Sequence, residues 1–428
     1  MHSNRLASTT DSPALTFAAR VVWYAMVGIA LGRAALVHWP RHRGLYDIYA
    51  QAGRNWVAGS NLYFAWDSID GFRYAPLIAA GLTPLAKLPE ILGSFLVRGV
   101  NVVVLMAGAF AFLDRVVLVR RESRAAAIYW LVLAALTWSG LFDLQVNALV
   151  TGLMLLAVAA LPQSRWNFAA ICLAGAVLLK IYPIALMLLC ILMWPRKLAW
   201  RCAVALLVGL AAPLVMQNPS YVWHQYPRWF HLMTLNDRQH LAMAKQYLPL
   251  GKWYRDVRLP LGVLGIYVSS KAYLIVQLVA AGLIAAVVAG LRRGASDWRL
   301  RLGILYGLAA GWMMAFGPAT EGVTYIMLAP AVAWLVVDAL WQSHGRAWRM
   351  GALTLAAFFA ATEASLWFRF GTLFRGLGPQ PAATVVLMAL LIKLQFSHPA
   401  DPPARLRRSP SSTSAPSEIA FDEGDGPF

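Results

Sequence analysis

Charge is what this chain has least of. Only 13% of its 428 residues are Asp, Glu, Lys or Arg, 60% are hydrophobic, and the mean hydropathy is +0.58. A soluble globular chain carries about 25% charged residues, so too few charges are present to solvate the surface of a protein this size. That excludes a soluble globular domain and points to one membrane-embedded unit with polar tails. Cysteine is scarce as well. Cys172, Cys190 and Cys202 lie in or beside apolar segments with no paired motif, which excludes a disulfide framework and a cysteine metal site and leaves them as small hydrophobes. Acidic residues number 19 against 37 basic ones, giving a net charge of +18. In a soluble protein that excess would point to nucleic acid. Here the basic residues sit in short clusters between apolar runs, so membrane lipids and not nucleic acid are the expected partners.

A signal-peptide pattern is also missing. Residues 1–15 are polar, and the first apolar run, about 16–38, is followed by Trp39-Pro40 in place of a small-residue cleavage site, so it reads as a retained first helix. There is no internal repeat; inverted repeats would have favoured a transporter.

What is present is a series of apolar runs near the length of about 20 residues that a bilayer crossing needs. They fall at about 19–38, 95–114, 125–140, 147–162, 167–194, 198–216, 272–291, 300–316, 323–341, 349–368 and 381–396. The run 167–194 is long for one span and is interrupted by Ile181-Tyr182-Pro183; since proline cannot continue a helical ladder, it reads as two short helices, entering and returning. The fold class is therefore an all-α polytopic bundle of about 10–12 transmembrane or half-transmembrane helices. Its expected parts are an N-terminal tail 1–18, a transmembrane domain 19–396 and a disordered tail 397–428 rich in Pro, Ser and acidic residues.

The arginines and lysines orient the bundle. Arg115, Arg120, Arg121 and Arg124 form one cluster, Arg196, Lys197 and Arg201 a second, Arg292, Arg293, Arg299 and Arg301 a third, and Arg346 and Arg349 a fourth. Positive-inside placement makes all of them cytoplasmic, together with both termini, in a multi-pass protein of the cell membrane. The helix count between clusters allows this if 167–194 is a hairpin. The outer segments are then about 39–75, 141–146, 180–183, 217–271, 317–322 and 369–380. Residues 76–90, apolar but broken by three prolines, read as a half-helix or interfacial segment.

The uncommon polar residues gather in those outer segments. Asp47 opens a helix-compatible stretch and is either a helix N-cap or a carboxylate base at the membrane surface; Asp67 and Asp70 follow in the same loop. Gln145 and Asn147 lie between two apolar helices, in a polar turn or as amides suited to sugar hydroxyls. Lys180 stands at the hairpin apex, either snorkelling or paired with a lipid phosphate. Arg228, in the largest outer segment, keeps company with aromatics that suit sugar rings or an interfacial belt. Glu321, in GPATEGVTY with Tyr325, is a functional acid or an acid favouring the dipole of the next helix; Glu363 lies in the outer part of a later helix. No metal ligand set is expected.

The elements D-x-Y, G-x-x-L-Y and F-x-Y-x-P occur as Asp47/Tyr49, Gly59/Leu62/Tyr63 and Phe72/Tyr74/Pro76. With them, over about residues 20–395, the chain resembles the family-87 glycosyltransferases, GT-C type membrane enzymes that include polyprenyl-phosphate-mannose-dependent mannosyltransferases. Gln145 and Asn147 match the family's G-Q-x-N with Leu144 in place of the glycine, and Lys180/Pro183 match its K-x-x-P. The resemblance implies a GT-C-like bundle with outer loops forming the site and Asp47 as catalytic base. Lys180, Gln145, Asn147, Tyr74, Arg228, Glu321 and Tyr325 would bind substrate. The resemblance implies a polyprenyl-phosphate sugar as donor but does not carry over the sugar or acceptor; the sugar is expected to be a hexose, mannose first, and the acceptor a lipid or glycan on the outer face. No cofactor is implied, and the chain agrees in having no metal-binding D-x-D and no soluble Rossmann-like domain. The alternatives are a transporter or flippase of lipid-linked sugars, whose polar groups would lie near the bilayer midplane, and a non-enzymatic assembly factor.

Overall fold

A computed structural model of the chain describes residues 11–36, 45–63, 71–244, 254–293, 297–317, 320–342, 344–365 and 371–397. Among them only helices and their connections occur, apart from one isolated bridge between Asp11 and Ser123. Helix is what a bilayer demands of these sequences, because no water is present in hydrocarbon to satisfy a free backbone N–H or C=O. The helices are α1 (Pro13–Gly32), α2 (Tyr46–Ala58), α3 (Pro76–Leu82), α4 (Glu90–Phe112), α5 (Arg124–Phe142), α6 (Asn147–Ala160), α7 (Trp166–Leu179), α8 (Ile184–Met193) and α9 (Pro195–Met216). They continue with α10 (Pro219–Ala244), α11 (Arg258–Val263), α12 (Ser270–Arg293), α13 (Trp298–Ala315), α14 (Ala329–Trp341), α15 (Arg346–Ala364), α16 (Gly371–Gly376) and α17 (Pro379–Ser397).

Six of these runs are long and apolar enough to cross a membrane: Pro13–Leu36, Glu90–Val117, Arg124–Phe142, Pro195–Met216, Ser270–Arg292 and Pro379–Phe396. Others are short and buried. Helix α14 is buried almost throughout and is led in by a tighter helical stretch, Gly322–Met327. The exposed apolar side chains of α1 and α12, among them Phe17, Tyr24, Leu274, Leu278 and Leu283, form the surface that lipid would cover.

The expected hairpin at 167–194 is present. Helix α7 ends at Leu179, and α8 begins after Pro183. Arg201 Nε near the start of α9 donates to Asn167 Oδ1 near the start of α7 at 2.7 Å, and a side chain at Gly209, late in α9, would strike Leu178, late in α7. Helices α7 and α9 therefore run parallel, and α8 must return between them. With that reversal the traversing helices alternate in direction, and the four arginine-bearing clusters fall at one end of the bundle. The start of α1 joins them there, since Thr16 Oγ1 donates to Glu122 O and Asp11 pairs with Ser123. We call this the basic end and its opposite the site end.

At the bundle's centre α4 crosses α6 with backbone nearly in contact. A Cβ on Gly108 would meet Gly152 O at 2.4 Å, and one on Gly152 would meet Val104 O at 2.3 Å, the small-residue approach that membrane helix packing favours. This places the turn joining α5 to α6 directly beside the site end of α4.

Two expectations are revised and a third holds. Helix α1 starts at Pro13, inside the expected tail. Residues 217–271 are not one loop, since most of them form α10 and α11. Residues 76–90 do form a short element, α3 and the turn Leu85–Lys87. The tail 397–428 lies outside the described residues beyond its first residue.

Candidate active site

Amphipathic α2 lies at the site end. Tyr46, Tyr49, Gly53 and Trp56 are buried along one face, and Gly59 ends the helix in the left-handed region at φ +64°, where the missing Cβ removes the steric penalty. Its buried face is tied on by Tyr46 Oη donating to Leu85 O at 2.8 Å and by Gln217 Nε2 donating to Trp56 O at 2.8 Å. The segment 72–75 threads between α2, α7 and α10. Ala75 N donates to Leu178 O at 3.2 Å, Trp229 Nε1 to Arg73 O at 3.0 Å and Tyr63 Oη to Tyr74 O at 2.7 Å. Tyr49 Oη spends its one proton on Leu144 O at 3.0 Å, so in its 3.2 Å contact with Tyr74 Oη it accepts. Two aromatic residues of the motif thereby clamp the α5–α6 turn to the first outer segment.

That turn carries a chain of hydrogen-bonded polar side chains. Gln145 Nε2 donates to Glu321 Oε2 at 2.7 Å, and Asn147 Nδ2 donates to Gln145 Oε1 at 2.6 Å. Asn147 is fully buried, its Oδ1 has no partner among the described residues, and its carbonyl accepts from Thr151 Oγ1 at 2.7 Å. Glu321, the residue before Gly322–Met327, makes no capping bond with its side chain; its carboxylate faces the amide instead.

Lys180 closes the group. It caps α7 in extended conformation with its Nζ 5.5 Å from the Tyr182 ring centre. It keeps part of its surface open, but protein packs around the ammonium. Burial pushes the ammonium down to about 8, a shift that the carboxylates of Glu321 and Asp143 oppose and Arg73 reinforces. Burial likewise pushes the Tyr74 hydroxyl up to about 12. Charged hydrogen-bonding groups held this close outside bulk water interact strongly.

The structure thus joins Gln145, Asn147 and Glu321 by hydrogen bonds and brings Lys180 and Tyr74 within reach of the Glu321 charge. It does not bring the other expected residues into contact with them. Asp47 lies in the first turn of α2, whose N-cap is Leu45, so the capping reading fails. Its carboxylate is exposed and makes no hydrogen bond among the described residues. It shares the open face of α2 with Gln51 and Arg54, away from Tyr49. Arg228 is exposed on α10, and its charge acts on Tyr221. Tyr325 turns its hydroxyl to Arg255 O at 2.8 Å and lines a separate small cavity with Phe359 and Glu363. Asp67 and Asp70 lie outside the described residues. Arg73 and Asp143, which sequence reasoning had not singled out as candidates, both act on Lys180. Their only signal was adjacency, Arg73 to Tyr74 of the motif and Asp143 to the turn. Among the described residues no cluster of three or more His, Cys, Asp or Glu could hold a metal ion.

The sequence profile described as Glycosyltransferase family 87 matches residues 72–318, more than half of the chain. The chain belongs to glycosyltransferase family 87. It is a multi-pass membrane glycosyltransferase. The matched stretch takes in Tyr74, Gln145, Asn147 and Lys180, whereas Asp47, Glu321 and Tyr325 stand outside it. No curated protein matches the chain. Two solved structures of ArnT from Cupriavidus metallidurans are similar to this glycosyltransferase at 15% identity and a TM-score of 0.37 each. The apo form covers 88% of this chain and 78% of its own, and the form bound to undecaprenyl phosphate covers 87% and 77%. Likeness at that level carries no argument about the site.

Proposed function

We propose that this family-87 glycosyltransferase moves a hexose, mannose in the simplest case, from a polyprenyl-phosphate donor to a lipid or glycan acceptor on the outer face of the membrane. The observation that carries the reading is the cation Lys180 held at one end of the bundle beside the Glu321–Gln145–Asn147 chain. A lipid phosphate needs a cation at headgroup depth, and sugar hydroxyls need both donors and acceptors. The concentration of these groups at one end, instead of midway, favours surface chemistry over a transport path.

In the proposed reaction an acceptor hydroxyl oxygen attacks the anomeric carbon, the bond from that carbon to the phosphate oxygen breaks, and polyprenyl phosphate leaves. One displacement inverts the anomeric centre. Asp47, exposed and without a hydrogen bond among the described residues, takes the hydroxyl proton. Phosphate is already a good leaving group, so no general acid is required; Lys180 balances the charge that develops on it. Gln145 and Asn147 hold sugar hydroxyls, and Tyr74 fixes the wall beside them. Glu321, already positioned as an acceptor by Gln145, is the second candidate for the base.

Purified protein incubated with labelled polyprenyl-phosphate mannose and native lipid extract should yield a mannosylated product of inverted anomeric configuration. Labelled sugar recovered only on the donor lipid would refute the reading. The basic end is taken as cytoplasmic by the positive-inside rule. A membrane-impermeant thiol reagent added outside should label Ser60→Cys and spare Gly345→Cys, both exposed positions; the reverse pattern would invert the topology.

A further inference from the structure

Helix α9 is one of the bilayer spans, and it reaches the site end at Met216. Helix α10 begins at Pro219, after only two intervening residues. The chain changes direction there because Gln217 is extended, at φ −149° and ψ 170°. Helix α10 therefore starts at the headgroup boundary.

Read at about 100° per residue, the circumference of α10 has four sides. Val222, Gln225 and Trp229 are buried; Gln225 Oε1 accepts from Leu62 N at 3.1 Å and Trp229 Nε1 donates to Arg73 O at 3.0 Å. Next to them Tyr226 Oη donates to Leu210 O of α9. Leu210 lies about 9 Å back along α9 from Met216, so this side of α10 faces the bilayer. Continuing round, Trp223, Pro227 and Phe230 form an exposed stripe at i, i+4 and i+7, in which Trp223 keeps 68% and Phe230 56% of its surface open. His224, Arg228 and His231 repeat that spacing on the fourth side and are exposed as well. Beyond them Tyr221 returns to the protein, donating to Ser60 O at 2.7 Å.

The order of the stripes is informative. The aromatic one adjoins the side that faces the bilayer, and the basic one lies farther round, away from it. An aromatic stripe on one side and a basic stripe on the other is the pattern of a helix lying in the headgroup layer. The open apolar surface continues down α9, where Val215, Val208 and Leu207 are exposed. Pro227 fits the same depth. It lacks an N–H, so the Trp223 carbonyl loses its helical donor, which is tolerable where water reaches and costly in hydrocarbon. Arg228 acts on Tyr221 by its charge but makes no ion pair among the described residues.

We propose that α10 is a membrane-surface helix that seats Trp223, Pro227 and Phe230 at the acyl boundary and binds anionic phospholipid headgroups at the site end through the stripe led by Arg228. Its buried face holds Leu62 and the Arg73 carbonyl, so docking on lipid braces the wall of the candidate site. That consequence rests on the transferase reading above; the docking itself does not.

Cys172, Cys190 and Cys202 are buried, so Trp223→Cys, His224→Cys and Phe230→Cys can each carry a nitrobenzoxadiazole label in the full chain held in phosphatidylcholine nanodiscs. Quenching by aqueous iodide and by phosphatidylcholine spin-labelled near the headgroup needs no turnover, so its outcome is independent of whether sugar transfer occurs. The labels at 223 and 230 should be quenched by the lipid and shielded from iodide, and iodide should quench the label at 224 at least threefold more strongly. Spin-labelled phosphatidylglycerol should outcompete spin-labelled phosphatidylcholine at the Phe230→Cys label by about fivefold, the scale for one basic residue at an anionic surface. Arg228→Gln should remove that preference and Arg228→Lys should keep it. A misfolded variant would reveal itself by labelling of the native cysteines, and Pro227→Cys then reports on the same stripe. Equal iodide quenching at all three positions would put the aromatic stripe in water. Shielding of 223 and 230 from both quenchers would mean that protein covers them, as in a dimer. Equal quenching by the two lipids, or a preference that survives Arg228→Gln, would remove the anionic headgroup. Each of these outcomes would overturn the proposal.

Discussion

The two ends of this bundle hold their charges in opposite ways. At the basic end the charges are numerous and wet. Arg115, Arg120, Arg121 and Arg124 are all exposed, and the pair Arg121–Asp114 has 61% and 31% of its side-chain surfaces in solvent. At the site end exposed charges such as Asp47, Arg54 and Arg228 stand beside others that are held against protein. Glu321 and Gln145 are hydrogen-bonded and half-buried, the charge of Glu321 acts on half-buried Lys180, and Arg98 is nearly fully buried. A solvated arginine interacts weakly with its neighbours and contributes through number alone, which is enough to orient a chain during insertion. An enclosed charge must be satisfied by specific partners or by a ligand. The comparison teaches that the count of charges at an end of a membrane protein reports its orientation, whereas their surroundings report chemistry.

The largest effect on this contrast should come from Asp47. Asp47→Asn keeps size and shape but cannot take a proton, so transfer should fall about 100- to 10,000-fold, the usual cost of losing a general base, with thermal stability unchanged. Glu321→Gln, measured in parallel, should leave more activity. If Asp47→Asn turns over at the wild-type rate and Glu321→Gln does not, the base belongs to the enclosed cluster and not to the open face of α2.

Lys180 should follow. Lys180→Gln should lower the rate about 100- to 1,000-fold, the scale for removing one preorganised donor to developing charge. Its pH dependence sharpens the point. Burial places the ammonium at about 8, below the ordinary lysine value, so the charged form is present below that pH and is lost as pH rises through it. The rate should therefore decline above about pH 8, and Lys180→Arg, whose guanidinium stays charged, should remove the decline from whatever activity it retains. An identical alkaline limb in the two proteins would show that another group titrates.

The smallest effect is expected at the basic end. Arg121→Gln should cost about 0–1 kcal/mol of stability, as exposed ion pairs do, and leave the transfer rate unchanged. A tenfold loss of rate in this variant would erase the distinction between the ends.

The candidate site was legible in part. Gln145, Asn147 and Lys180 stood out because polar residues are rare in this chain and these three interrupt apolar runs, and the structure joins the first two directly. Glu321 was visible as a lone acid between two helices, but its bond to Gln145, 176 positions away in sequence, was not. Tyr325 looked equivalent to its neighbour Glu321, yet a residue inside a tight helical turn points elsewhere, and its hydroxyl meets Arg255.

Periodicity and composition alone determined that the chain spans a membrane, roughly where each helix runs, that 167–194 turns back at Lys180, and that the arginine clusters share one end. These follow from local rules: the bilayer thickness sets helix length, proline breaks the ladder, and the cost of moving charge through hydrocarbon sorts the loops. Which polar residues meet was decided only by the tertiary structure. The approach of α4 to α6 at Gly108 and Gly152, and the clamp of Tyr49 and Tyr74 on Leu144, place segments from all over the chain around one turn. Such contacts depend on the packing of many helices at once, and no residue's near neighbours in sequence encode them.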